Sequence, residues 1–539
     1  MILATRVEQF VDRLNDSVWF KLSEIVLIVV ASTGSIYFMF HSVLKSQWSL
    51  VDDQEIAYYL GSDHKINLPE AWNIYVNDTE IGKYGSYPRF RPAFFAFRLL
   101  ESYLWSDNLA LWYWTSLVMF IIFMSIFWYL SAEVIGFVLA AFISFFVVTS
   151  YYWIDIFGRL GASEPYAAIG LAIFGLGVYF LYSHPKTINF GWFLACIGAM
   201  IATGSKENFF PVLILLAWIA FDQFKKKRIN GWGWAWLALT VIWNVWIFSS
   251  IALAVGKTGK DVYQQSVSLG VRLAILIAAL KRWEVLALFG LCLLFFGIGF
   301  IARKKNRQIW VLSIKLGAVL SSLLFVYLTQ LIVYGNFPIG DRYDFPALFV
   351  WPVVAIALIW YFQQIARLGT HLSYRVLVFM MALMACVFLA NSHFQGIKVA
   401  QRESLKHVWA THKFTTSVLK LDSLIKQYPN YTLIFQANTP ISDYVSAFVY
   451  NPFLRYYGVS NPMAVMWAGA PIDHYDGLNA TLISDLQNAS AHGGVVLTNV
   501  SLRPDFIPLS ETDGNKCVLV LLSSTEPAKD CAVVYNVNN

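Results

Sequence analysis

Long apolar runs separated by short polar stretches dominate the first four hundred residues. After a start carrying charges of both signs (Arg6, Glu8, Asp12, Arg13, Asp16, Lys21), one run extends from Ile25 to Leu44. Others follow near 109–130, 133–150, 166–182, 188–203, 208–222, 231–254, 285–302, 310–334, 346–362 and 375–391. These lengths approach or match the about 17–25 residues that carry a helix across ~30 Å of hydrocarbon. They are not buried strands, because open strand edges are forbidden in lipid. The pattern predicts a polytopic α-helical membrane domain over residues 1–391, with about eleven transmembrane helices. The run Val271–Leu280 is too short to span and is expected to be interfacial or re-entrant. The first run is read as a transmembrane helix, not a cleaved leader, since no small-residue cleavage pattern follows it.

The pattern changes after residue 391. Turn signals (Asn438-Thr439-Pro440, Asp476-Gly477, Gly493-Gly494) separate alternating stretches such as Tyr431–Gln436, Gly494–Thr498 and Cys517–Leu522. They predict a soluble α/β or α+β domain over 392–539.

Charge placement sets the expected orientation. The strongest basic clusters, Lys225-Lys226-Lys227-Arg228 and Arg303-Lys304-Lys305-Asn306-Arg307, follow the sixth and eighth runs. They therefore share the N-terminal side, which the positive-inside rule makes cytoplasmic. Eleven spans then place the C-terminal domain outside, and the first exterior loop becomes about residues 45–108. A bacterial inner or plasma membrane is the expected location. Cys196, Cys292 and Cys386 fall within apolar runs, where a free thiol behaves as a small apolar group. Cys517 and Cys531, with thirteen residues between them, suit a hairpin-closing disulfide in an oxidising exterior.

Composition narrows the function. The chain is 58% hydrophobic and only 13% charged, and its net charge of +6 resides in clusters between apolar runs, so no nucleic-acid partner is expected. No internal repeat and no Walker or dinucleotide glycine motif is present, which removes support for an ATP-driven pump.

The informative polar residues all fall on predicted exterior loops. The first carries Asp52-Asp53 and Glu55, then Tyr87-Pro88-Arg89-Phe90-Arg91-Pro92 and Arg98. Its Trp48, Tyr58, Tyr59 and Trp72 suit an aromatic belt at the membrane interface. Adjacent acids repel unless cations or a metal lie near, and the three arginines could pair with Asp52, Asp53 and Glu101 or bind an anion. The second loop adds Asp155, Arg159 and Glu164. The third, Ser205-Lys206-Glu207-Asn208, places a lysine at membrane depth, at a cost of about 2.5–3.5 kcal/mol unless it has a partner or a task. The last, Gly335–Pro346, contains Asp341-Arg342-Tyr343. Acids and phosphate-matching cations beside lipid point to an anionic lipid substrate.

Four of these segments, in this order, resemble motifs of the GT-C superfamily of membrane glycosyltransferases. Asp52-Asp53 resembles that family's first-loop acidic motif. Arg91-Pro92 leading into Phe97-Arg98-Leu99, Ser205-Lys206-Glu207-Asn208, and Arg342-Tyr343 with Pro346 resemble motifs of the transmembrane O-mannosyltransferases and their bacterial relatives. The resemblance covers about residues 20–390. No tetratricopeptide repeat follows it.

It implies an inverting transfer of sugar from a polyprenyl- or dolichyl-phosphate donor to a hydroxyl on a glycan, lipid or protein acceptor. It further implies Asp53 as general base with Asp52 next, and Lys206, Arg342, Arg91 and Arg89 on the donor phosphate. Glu207, Tyr343 and Glu55 are supporting residues. No cofactor is expected, although some relatives need a divalent metal. Two alternatives remain. A lipid-linked glycan ligase or polymerase would use Arg and His, whereas His64 is the only histidine of the first loop. A lipid or glycolipid transporter would show repeats or midplane charges.

Overall fold

A computed structural model describes residues 18–49, 52–259, 269–304, 306–334, 342–368, 372–429, 432–437, 450–461, 463–467, 495–496, 517–521 and 533–536. The chain is a polytopic helical membrane protein. Among the described residues, eight helices are long and apolar enough to cross a bilayer, from Lys21–Lys45 to Arg307–Gln330. The order is α1 (Val18–Phe40), α2 (Gln54–Leu60), α3 (Leu68–Asn77), α4 (Pro92–Trp105), α5 (Leu109–Ile135), α6 (Phe137–Val148), α7 (Tyr152–Phe157), α8 (Glu164–Ser183), α9 (Ile188–Ser205), α10 (Pro211–Lys225) and α11 (Gly231–Thr258). It continues with α12 (Leu269–Ala279), α13 (Trp283–Ala302), α14 (Arg307–Tyr334), α15 (Val350–Leu368) and α16 (Leu372–Ile425).

Two expected spans are shorter than their apolar runs suggested. The run 133–150 begins inside α5, is broken at Gly136 with φ +89°, and leaves a helix of only 12 residues. At 1.5 Å per residue this covers about 18 Å, short of a full crossing. The run 346–362 starts with a 3₁₀ turn, Ala347–Phe349, before α15. The 375–391 run lies within α16, a single 54-residue helix that crosses the expected 391/392 domain boundary without a break.

Helices α8 and α9 form the tightest pair. A Cβ on Gly170, Gly177 or Gly198 would collide with the backbone of the facing helix. Small residues let antiparallel backbones touch where lipid supplies no hydrophobic drive for association. One consequence serves the site: the start of α8 and the end of α9 meet at the same end of the bundle.

The C-terminal region carries a five-stranded sheet: β1 (Thr432–Ala437), β2 (Met463–Trp467), β3 (Val495–Val496), β4 (Cys517–Leu521) and β5 (Val533–Asn536), in order β3-β2-β1-β4-β5. Only the β2–β3 pair is antiparallel. The expected strands are present, but β4 and β5 pair in parallel, with Val518 opposite Val533. Parallel neighbours cannot be joined by a tight hairpin. The expected hairpin around Cys517 and Cys531 is therefore absent, and Cys531 itself lies outside the described residues.

Candidate active site

The polar clusters, scattered over three hundred residues of sequence, converge at one end of the bundle. The α8–α9 packing brings Glu164, the first residue of α8, to Lys206, which caps the end of α9. Lys206 Nζ donates to Glu164 Oε1, and both residues are buried. The 3₁₀ turn Arg342–Asp344 adds Arg342, whose Nε lies 3.9 Å from the same Glu164 oxygen. The Arg342 Nη1 in turn forms an ion pair with Asp52 Oδ2. The result is a linear set, Lys206–Glu164–Arg342–Asp52, of two cations alternating with two carboxylates. Tyr343 lies over both cations, with Lys206 Nζ 4.7 Å and the Arg342 guanidinium 5.2 Å from its ring centre. Burial works to lower the Arg342 pKa, but Glu164 and Asp52 outweigh it and hold the guanidinium more firmly protonated than usual.

Asn208 anchors the Arg342 turn. Its Nδ2 donates to the Phe345 carbonyl at 2.7 Å and to Gln330 Oε1 at 3.1 Å, while Gln330 Nε2 donates to the Tyr343 carbonyl. Asn208 thus links the Ser205–Asn208 motif to the Arg342-Tyr343 segment. Asp341 lies outside the described residues.

The adjacent acids differ sharply in environment. Asp53 is fully buried. The backbone N–H of Ser49 donates to its Oδ2 at 2.8 Å and that of Gly161 to its Oδ1 at 3.2 Å. Burial nevertheless prevails over these amides and Arg98, and raises its pKa to about 7. Asp52 is partly exposed, with its side chain on Arg342 and its backbone at φ +73°. Segment 158–163 presses on this pair so closely that a Cβ on Gly161 would collide with Asp52.

The other expected phosphate ligands are engaged elsewhere. Arg91 makes a two-pronged contact with Glu80 (Nη2 to Oε1 2.8 Å, Nε to Oε1 3.1 Å) and stacks near Phe94 and Phe95. Arg89 Nε lies 3.7 Å from Glu207 Oε1. Neither joins Lys206 and Arg342 in the linear set. Glu55 is partly buried at the edge of this group, its pKa raised by burial against the opposing pull of Arg91. Arg98 is fully enclosed, donates to the Leu160 and Ala162 carbonyls, and faces Glu101 at 3.6 Å; it holds the fold around segment 158–163. Among the described residues, no group of three or more His, Cys, Asp or Glu side chains is arranged to hold a metal ion.

Glu164 is the site residue that motif reasoning undervalued. In sequence it is one of two acids in the second loop. Its pairing with Lys206 and Arg342 follows from helix packing. The glycine spacing of α8 and α9 was the available signal.

The far half of α16 braces the same region. Thr411 Oγ1 accepts from the Gln47 N–H at 3.1 Å, His412 Nε2 meets the Lys45 carbonyl at 2.8 Å, and Thr415 Oγ1 donates to the Trp48 carbonyl at 3.5 Å. His407 contacts the Gly158 backbone, and burial beside Arg159 lowers its pKa to about 4. The C-terminal helix thus grips both segments that flank Asp52-Asp53.

No protein-family model matches the chain, and no curated protein does. Two solved structures are similar in course. The crystal structure of ArnT from Cupriavidus metallidurans bound to undecaprenyl phosphate is 13% identical, with a TM-score of 0.41, covering 86% of this chain and 88% of that one. The apo form of the same protein is 13% identical, with a TM-score of 0.38, covering 88% and 89%. Both likenesses are distant, and neither assigns a residue or a substrate to this chain.

Proposed function

We propose that the chain is an inverting glycosyltransferase that moves a sugar from a polyprenyl-phosphate donor to an acceptor hydroxyl at the exterior face of the membrane. One observation carries the reading. Two buried cations, Lys206 and Arg342, share the carboxylate of Glu164, and a partly exposed carboxylate, Asp52, lies against Arg342 at one end of a lipid-embedded bundle. Such pairs suit an anionic group that arrives from the membrane and leaves again.

The donor phosphate competes with Asp52 for Arg342. Its arrival frees the Asp52 carboxylate, which accepts the acceptor's hydroxyl proton as that oxygen attacks the anomeric carbon. The bond between that carbon and the phosphate oxygen breaks, and its electron pair departs with the polyprenyl phosphate. Lys206 and Arg342 stabilise the developing charge, and fixed charges do so more effectively in a water-poor cleft than in bulk. Attack from the face opposite the leaving group inverts the anomeric centre.

Asp52 replaces Asp53 as our choice of base. Asp53 has both carboxylate oxygens on backbone amides and no exposed surface, so its task is to shape the loop. The test is sugar transfer from a labelled polyprenyl-phosphate donor. Asp52→Asn, Lys206→Ala and Arg342→Ala are each expected to lose roughly 10²-fold or more. Full activity in Asp52→Asn would overturn the assignment of the base, and in all three it would overturn the function.

A further inference from the structure

A groove between α3 and α4 has no part in the chemistry above. It encloses ≈ 690 Å³ and is lined by apolar and aromatic side chains, among them Leu68, Trp72, Tyr75, Ala96, Leu99 and Tyr103. This volume falls within the about 300–1,000 Å³ of ordinary ligand pockets. Helix α3 is well capped by a reciprocal Asn67–Glu70 pair, yet exposes Leu68, Trp72 and Val76 along one face. Exposed Leu100, Tyr103 and Leu104 end α4, and after a three-residue turn exposed apolar residues resume on α5 as Leu111, Trp114, Val118 and Ile122. Their spacing of three and four is one face of a membrane-spanning helix. The groove is therefore continuous with the lipid-facing surface of the bundle, as an interfacial amphipathic helix with Trp and Leu on its apolar side would be.

One wall of the groove abuts the acid segment: α4 packs against α2, which begins at Gln54 directly after Asp52-Asp53. At the groove's inner end, Tyr75 donates to the Pro92 carbonyl at 3.3 Å. Pro92 follows Arg91, which is held by Glu80. None of the groove's lining belongs to α8, α9 or the Arg342 turn, which carry the cations.

Resting on the glycosyltransferase reading, we propose that the α3–α4 groove holds a hydrocarbon chain of the acceptor, so that the acceptor is a membrane lipid bearing a free hydroxyl. A glycan or peptide in this groove would leave its polar groups without partners at a cost of several-fold to many-fold in affinity, whereas a methylene chain loses nothing there.

The experiment has two arms in proteoliposomes. In the first, a diacyl phospholipid carrying a mid-chain photoactivatable diazirine probes the groove without needing activity. Crosslinks are expected in 68–77 and 96–103. They should be lost in Ala96→Phe, which fills the groove from an exposed position, and kept in Val118→Phe on the α5 lipid face. Absent crosslinks there, or crosslinks indifferent to Ala96→Phe, would overturn the proposal. In the second arm, label from the donor is followed into organic-soluble, water-soluble and protein fractions. It should appear in a new organic-soluble product, and Ala96→Phe should cut its formation roughly tenfold, the effect of displacing about two buried methylenes. Label in protein or water-soluble glycan would overturn the lipid acceptor. No transfer to any fraction would overturn the glycosyltransferase reading, while the first arm still decides the groove.

Discussion

Replacing Asp53 by asparagine separates a structural acid from a catalytic one, and the structure gives both the size and the pH signature of the effect. In the native site each carboxylate oxygen accepts one backbone N–H, from Ser49 at 2.8 Å and Gly161 at 3.2 Å. Asparagine offers one oxygen and one NH₂, so one buried amide must face a donor. A buried group left unsatisfied costs about 1–3 kcal/mol. A second effect runs the other way. Burial raises the Asp53 pKa from the ordinary 3.8 to about 7. A group whose folded pKa is raised adds stability that is full below its unfolded value and is lost as pH climbs through the folded value. Wild type therefore loses stability between about pH 4 and 7, by up to about 1.4 kcal/mol per pH unit from this group, and the asparagine variant does not. The assay is thermal unfolding of both proteins in one detergent across pH 4 to 8, with transfer activity measured alongside. Asp53→Asn should be the less stable protein at low pH, with the gap narrowing as pH rises and activity within roughly tenfold of wild type. Asp52→Asn removes one of two carboxylates on Arg342 but leaves Glu164 beside it, and Asn tolerates the positive φ of that position, so it should lose less stability than Glu164→Gln while losing roughly 10²–10⁴-fold in activity. A gap that widens with pH would refute the reasoning about Asp53. Loss of activity without loss of stability in Asp53→Asn would return the base to that residue.

Three further outcomes are expected. Glu164→Gln leaves Lys206 and Arg342 short of a buried counter-charge and should destabilise by about 3–5 kcal/mol; Glu164→Gln with Lys206→Met should recover part of the melting temperature but no transfer. Gly161→Ala, whose methyl would collide with Asp52, should lower activity more than it lowers the melting temperature, and equal loss of both would contradict a local displacement. Thr411→Val removes the acceptor of the Gln47 N–H and should cost about 1 kcal/mol with a fall in kcat; unchanged kcat would mean that α16 does not hold the acid loop.

Much of the membrane architecture was legible because hydrocarbon is an undemanding solvent to predict from. It requires about twenty apolar residues per crossing and satisfied backbone groups, and runs such as Ile25–Leu44, 109–130, 231–254 and 285–302 meet that demand without reference to tertiary contacts. The sheet strands of the tail were legible for a related reason, alternation over five or six residues. Their direction was not: whether β4 and β5 run parallel depends on a connection that local pattern does not encode. The same limit appears at the break at Gly136 and in the unbroken α16, where composition changes along a helix that does not.

The site divides along the same line. Sequence alone determined which residue types were costly near lipid, and so singled out Asp52-Asp53, Lys206 and Arg342, because an ionised side chain at membrane depth is unfavourable wherever it lies. Only tertiary structure decided how they pair. The glycine contacts of α8 and α9 put Glu164 on Lys206; Asn208 fixed the Arg342 turn beside them; Glu80 took Arg91 away; and the amides of Ser49 and Gly161 enclosed Asp53 while leaving Asp52 open. Charge is a property of a residue, but burial and partnership are properties of its neighbours, and those neighbours come from segments that only packing brings together.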